Sequence, residues 1–204
     1  MVTFKQTITN LKADIARRLL LDGIGTGFFA VFIVLFKRGV ASVIVYRLSR
    51  YCFFNRLKIV SRLLVIVDYL YTKNEISPIA DIGPGLVLAD TTGIGIGQIA
   101  VIGSNCTICG CITITLGVME SFDVHAQHIV IGDNCVIGTR VRIMRPVTLA
   151  NGTQITSNSV VLLSVKDVGS TISGVPAKPR YRDCYDEILK WNSLRGGFIG
   201  ELTA

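Results

Sequence analysis

The sequence predicts a mainly β chain. From about residue 75 it reads as a solenoid of short strands joined by turns, preceded by a helical region and followed by a short helix. Three observations predict this. An aliphatic residue recurs every sixth position between Ile76 and Val161, a small or β-branched residue stands two places before many of them, and residues 1–74 lack that period altogether. Neither a helix, which repeats every 3.6 residues, nor a strand, which repeats every 2, sustains a period of six.

The first 74 residues are basic and apolar. Half of the 204 residues are hydrophobic and only 17% are charged, which excludes a disordered chain. A mean hydropathy of +0.54 brings a membrane into consideration. The net charge of +7 is uneven: residues 1–75 hold 12 Lys/Arg against 4 Asp/Glu, and the remainder is nearly neutral. Gly23 to Phe36 and Gly39 to Tyr46 are uncharged runs of 14 and 8 residues, each short of the roughly 20 needed to span a bilayer. Lys37 to Val67 holds seven basic residues and no acid, interleaved with aromatics and leucines. Two readings fit: basic amphipathic helices on the surface of an anionic inner membrane, or a helical cap packed on the solenoid or on sister subunits. Nucleic acid is not expected as a partner, because the basic residues alternate with large aliphatics instead of forming a polar stripe. Met1 to Leu20 lacks the order of a signal peptide, so a cytoplasmic chain with reduced thiols is expected.

The periodic region follows. Its aliphatic series is Ile76, Ile82, Leu88; then Ile96, Ile102, Ile108, Ile114; then Ile131, Ile137, Ile143, Leu149, Ile155, Val161. Ala80, Ala100, Cys106, Cys135, Val141 and Thr153 are among the small or β-branched residues suited to the inside of a narrow triangular coil. Gly83, Gly97, Gly103, Gly132 and Gly138 each follow an aliphatic position, which suits a turn with unusual backbone angles. Cys106, Cys109 and Cys111 raise the question of zinc, but no second pair completes a tetrahedral site, and no metal is expected. Small core filler accounts for Cys106 and Cys135. The series slips by two residues at Gly93-Ile94-Gly95 and breaks between Leu116 and His128, ejecting a loop with Glu120, Asp123, His125 and Gln127. The chain's two histidines, His125 and His128, both fall at this break. Loops on a rigid scaffold commonly carry function.

These hexads resemble those of the hexapeptide-repeat acyltransferases over residues 75–180. The resemblance implies a left-handed parallel β-helix with three hexads per coil and four to five coils. Within that group the chain resembles the serine acetyltransferases and the related sugar and polysaccharide O-acetyltransferases. The matching stretches are Glu75–Gly97, AVIGSNCTI (Ala100–Ile108), TLG (Thr115–Gly117), HIVIGDNCVIG (His128–Gly138) and the closing GVPAK (Gly174–Lys178). The resemblance implies acetyl-CoA as cosubstrate and a homotrimer, or dimer of trimers, with sites between neighbouring subunits. Departures from the serine acetyltransferase pattern are also legible. Where that family carries an Asp-His pair with a catalytic histidine, this chain has Ala89-Asp90, and the Arg before the second active-site histidine is Gln127. A carboxylate is best held by a bidentate Arg, so serine is the weaker expectation. An acceptor hydroxyl on a sugar, a capsular or exopolysaccharide, or a lipid-linked glycan leads. Serine O-acetyl transfer in cysteine biosynthesis and a non-catalytic trimeric scaffold stand as alternatives.

Acetyl transfer to an alcohol needs a base, a positioned thioester and donors for the developing oxyanion. His128 is the expected base, with Asp90 holding its other ring nitrogen across a subunit interface and His125 as the substitute. Gly117 is a candidate backbone donor to the oxyanion. Thr139 and Ser157, 18 residues apart, should stack on one edge and line a groove of open backbone amides for the pantetheine arm. Lys178 and Arg180 are candidates for the coenzyme A phosphates, and Arg140 and Arg142, with Arg145 nearby, for an acidic group. Residues 181–204 offer one short amphipathic helix, around Tyr181 to Leu194, suited to packing on a neighbouring subunit.

Overall fold

A computed structural model describes residues 2–23, 27–90, 92–116 and 128–179. Four helices come first: α1 (Phe4–Leu21), α2 (Phe28–Leu35), α3 (Arg38–Phe54) and α4 (Lys58–Thr72). Thr3 caps α1 by accepting the Gln6 amide on its hydroxyl. Lys73, in the left-handed conformation, ends α4.

The chain then winds into a left-handed parallel β-helix with three faces. The first face stacks β1 (Glu75–Ile76), β4 (Gly95–Ile96), β7 (Thr113–Ile114), β10 (Arg142–Ile143) and β13 (Val160–Val161). The second stacks β2 (Asp81–Ile82), β5 (Ala100–Ile102), β8 (Ile129–Ile131) and β11 (Thr148–Leu149). The third stacks β3 (Val87–Leu88), β6 (Thr107–Ile108), β9 (Val136–Ile137), β12 (Gln154–Ile155) and β14 (Thr171–Gly174), and β15 (Ala177–Pro179) closes it antiparallel.

All thirteen hexad aliphatics end a strand and are buried. Each points into the coil because a strand's side chains alternate, so one residue of each pair faces in. Register reports the interruptions directly. Ile96 faces Ile114 one coil on, Ile82 faces Ile102 across the two-residue slip, and Ile102 faces Ile131 across the ejected loop. At the slip Thr92 lies exposed, and Ile94 fills the inner position instead.

The hexad glycines serve a different purpose from the one expected. None of Gly83, Gly97, Gly103, Gly132 and Gly138 is left-handed. A Cβ on Gly83 would lie 2.8 Å from the Gly103 carbonyl carbon, and one on Gly103 would lie 2.7 Å from the Asp133 nitrogen. These glycines let neighbouring coils approach. Left-handed backbone falls instead on a stacked column of Gly85, Asn105, Asn134, Gly152 and Gly169. Each amide from Asn105 onward donates to the turn one coil before: Asn105 to Pro84, Asn134 to Ser104, Gly152 to Asp133 and Gly169 to Asn151.

Along the strands, by contrast, each coil's N–H groups donate to carbonyls of the coil that follows. The first coil's carbonyls therefore have no preceding coil, and an open sheet edge needs cover. The helices supply it. Tyr46 donates to the Ala80 carbonyl at 2.8 Å, Arg47 to Ile82 and Gly83 at 2.6 Å, Arg17 to Gly85 at 2.7 Å and Arg18 to Leu88 at 2.9 Å. Arg17, Arg18 and Arg47, part of the basic surplus of the first third, thus hold the open edge of the first coil. Among the described residues no helix is long and apolar enough to cross a membrane.

Candidate active site

Two corners of the β-helix carry the expected groups. At the corner between the third and first faces, Asp90, Gly110, Thr139 and Ser157 follow β3, β6, β9 and β12 at the same offset. A Cβ added to Gly110 would lie 2.8 Å from an Asp90 carboxylate oxygen, so the missing side chain makes room for Asp90. The Gly110 carbonyl accepts the Arg140 amide at 3.0 Å, and the Thr139 carbonyl accepts the Asn158 amide at 2.9 Å. Thr139 and Ser157 stack as expected, but the Thr139 amide is not open: it donates to the Ser157 hydroxyl at 3.2 Å. The small side chains, not free amides at Thr139, shape this edge.

Sequence reasoning missed Cys109. Burial pushes its thiol upward, a hydrogen bond with the Thr139 side chain opposes that, and the charge of Asp90 adds to the rise. The hexad register held the signal, since Cys109-Gly110 occupies the same offset as Ala89-Asp90 and Gly138-Thr139. The cysteines of the zinc question separate: Cys106 is buried in the core, Cys109 half-buried at this corner and Cys111 exposed. Among the described residues no cluster of His, Cys, Asp and Glu could hold a metal.

His128 stands at a different corner, exposed, immediately before β8 and between the first and second faces. The width of the first face separates it from Asp90, so one protomer does not bring the two together. Arg142, exposed on β10, projects from that intervening face. Arg140, at the Asp90 corner, is exposed and left-handed. Lys178 is exposed on β15, opposite Ser173, at the far end of the face that carries Thr139 and Ser157. Gly117, His125, Gln127, Arg180 and the C-terminal helix expected around Tyr181 to Leu194 lie outside the described residues.

No protein-family model matches the chain. It is 28% identical over 168 residues to the serine acetyltransferase of Bacillus subtilis, covering 82% of this chain and 75% of that one. It is also 28% identical over 146 residues to the serine acetyltransferase of Synechococcus elongatus, covering 71% of this chain but only 57% of that relative. Its backbone superposes on the crystal structure of Neisseria gonorrhoeae serine acetyltransferase with a TM-score of 0.77 at 26% identity, covering 88% of this chain and 68% of that one. The sugar or glycan acceptor expected from the altered serine-binding residues is overturned by these matches. These matched proteins, in sequence and in structure, are serine acetyltransferases, which backs the acceptor kept as an alternative over the sugar.

Proposed function

We propose, since the chain is a serine acetyltransferase-like member of the hexapeptide-repeat acyltransferases, that it transfers an acetyl group from acetyl-CoA to the hydroxyl of serine. The observation that carries this reading is that sequence matches and backbone superposition both lead to serine acetyltransferases.

In this reading His128, the one imidazole among the described residues, is the general base. As the serine oxygen attacks the thioester carbonyl carbon, the imidazole takes the hydroxyl proton. The tetrahedral intermediate then collapses, the C–S bond breaks, and the imidazolium returns the proton to the leaving sulfur. Gly117 is the backbone donor to the oxyanion, and His125 is the second candidate base. Asp90 sits where the family's histidine is expected, and its carboxylate orients rather than replaces an imidazole. The separation of Asp90 from His128 within a protomer supports a homotrimer in which Asp90 of one subunit approaches His128 of the next. Coenzyme A runs along the Thr139 and Ser157 edge, where small side chains leave room, toward Lys178 and Arg180 for its phosphates. The reaction is assigned to the cytoplasm.

The test is release of free thiol from acetyl-CoA by the purified chain, with and without serine. Serine-dependent release supports the reading, and consumption of acetyl-CoA that ignores serine overturns it.

A further inference from the structure

Helix α4 is built inside out. Its polar residues Ser61, Asp68 and Thr72 are buried, and Asp68 accepts hydrogen bonds from Ser42 at 2.7 Å and Thr72 at 2.9 Å. Its apolar residues Ile59, Leu63, Ile66, Val67 and Leu70 are between 53% and 77% exposed. Spacings of three and four wind them into one continuous stripe. Helix α2 adds exposed Phe32, Ile33 and Phe36. The ends of the two helices adjoin, because Arg38, just past α2, lies 5.8 Å over the ring of Tyr71 on α4. An apolar surface of this extent marks an interaction face.

The surrounding charges select its occupant. Arg38, Arg56, Lys58, Arg62 and Lys73 are all exposed. From Gly23 to Asn74 the single carboxylate is Asp68, which is buried. A second copy meeting this face through its own would bring cation against cation, whereas an anionic surface neutralises them. The ammonium groups of Lys58 and Lys73 lie 5.9 and 5.4 Å from the ring centres of Phe53 and Tyr69, cation–π contacts that hold positive charge against the aromatic margin of this face. With 15 residues, α4 is too short to cross a bilayer and suited to lying in its interface.

We propose that the exposed face of α2 and α4 docks on an anionic lipid bilayer, with α4 in the plane of the interface. This goes beyond acetyl transfer and does not depend on it.

The experiment is vesicle flotation of the full chain with phosphatidylcholine alone and with phosphatidylcholine plus phosphatidylglycerol. The chain is expected to float with the anionic vesicles and to be released by salt. Lys58→Gln with Arg62→Gln should weaken that binding by about thirtyfold, at roughly a factor of five per basic residue. Leu63→Glu with Ile66→Glu should abolish it, with helical content and oligomeric state unchanged in the charge variant. Failure to float with anionic vesicles overturns the proposal. So does flotation that is indifferent to both pairs, or a change of oligomeric state in the charge variant, which would assign the face to a second copy.

Discussion

Arg47 grips both oxygens of Asp14, at 2.9 and 3.1 Å, while its other N–H groups hold the Ile82 and Gly83 carbonyls. The same Asp14 accepts the Leu86 amide at 2.8 Å, so one buried ion pair joins α1 and α3 to the first coil. Replacing Arg47 by Met strands a buried carboxylate and two carbonyls. A loss of about 3–5 kcal/mol is expected, read by chemical denaturation. The exposed Arg62→Met should stay within about 0.5 kcal/mol of the parent.

Coil spacing gives the second prediction. Gly103→Ala forces a Cβ to within 2.7 Å of the next coil's backbone, whereas Gly95→Ala meets nothing nearer than the Ile112 oxygen at 3.7 Å. Gly103→Ala should destabilise by about 1–3 kcal/mol through overpacking, and Gly95→Ala should be near neutral. Thermal unfolding of the pair separates close approach from simple loss of glycine. Equal losses would refute the assignment.

Asp68 sets a pH dependence. Burial raises its carboxyl above the ordinary value, against the lowering effect of Ser42 and Thr72. The folded chain therefore binds that proton more tightly than the unfolded chain. The stabilisation is full below the ordinary carboxylate value and is lost as pH rises through the raised folded value. Asp68→Asn should raise the melting temperature at neutral pH and flatten this part of the profile. A variant less stable than the parent at pH 7 would show that the ionised form is favoured inside.

The thirteen hexad aliphatics, the slip at Gly93 and the break before His128 were all legible, because a solenoid writes its geometry into the chain one coil at a time. The glycines were misread, since a period does not distinguish a turn angle from contact between coils; only the neighbouring Asp133 and Ser104 reveal the second. The capping arginines were invisible for a similar reason. Arg17 reaches Cys106 and Arg47 reaches Gly83, and no local pattern announces contacts so far apart in sequence. The interleaving of basic residues with aromatics and leucines up to Val67 was legible, but not the inward turn of the polar side of α4, which depends on Ser42 and Asn74. At the site, the Thr139 and Ser157 stack followed from counting residues, while the bond from the Thr139 amide to the Ser157 hydroxyl did not.

The most direct measurement is mass-spectrometric detection of O-acetylserine from acetyl-CoA and serine, made with the parent and with His128→Ala. The account predicts product from the parent and a fall of about a hundredfold or more in the variant, the scale of a lost general base. Product at the parental rate from His128→Ala, or none from the folded parent chain, would contradict it.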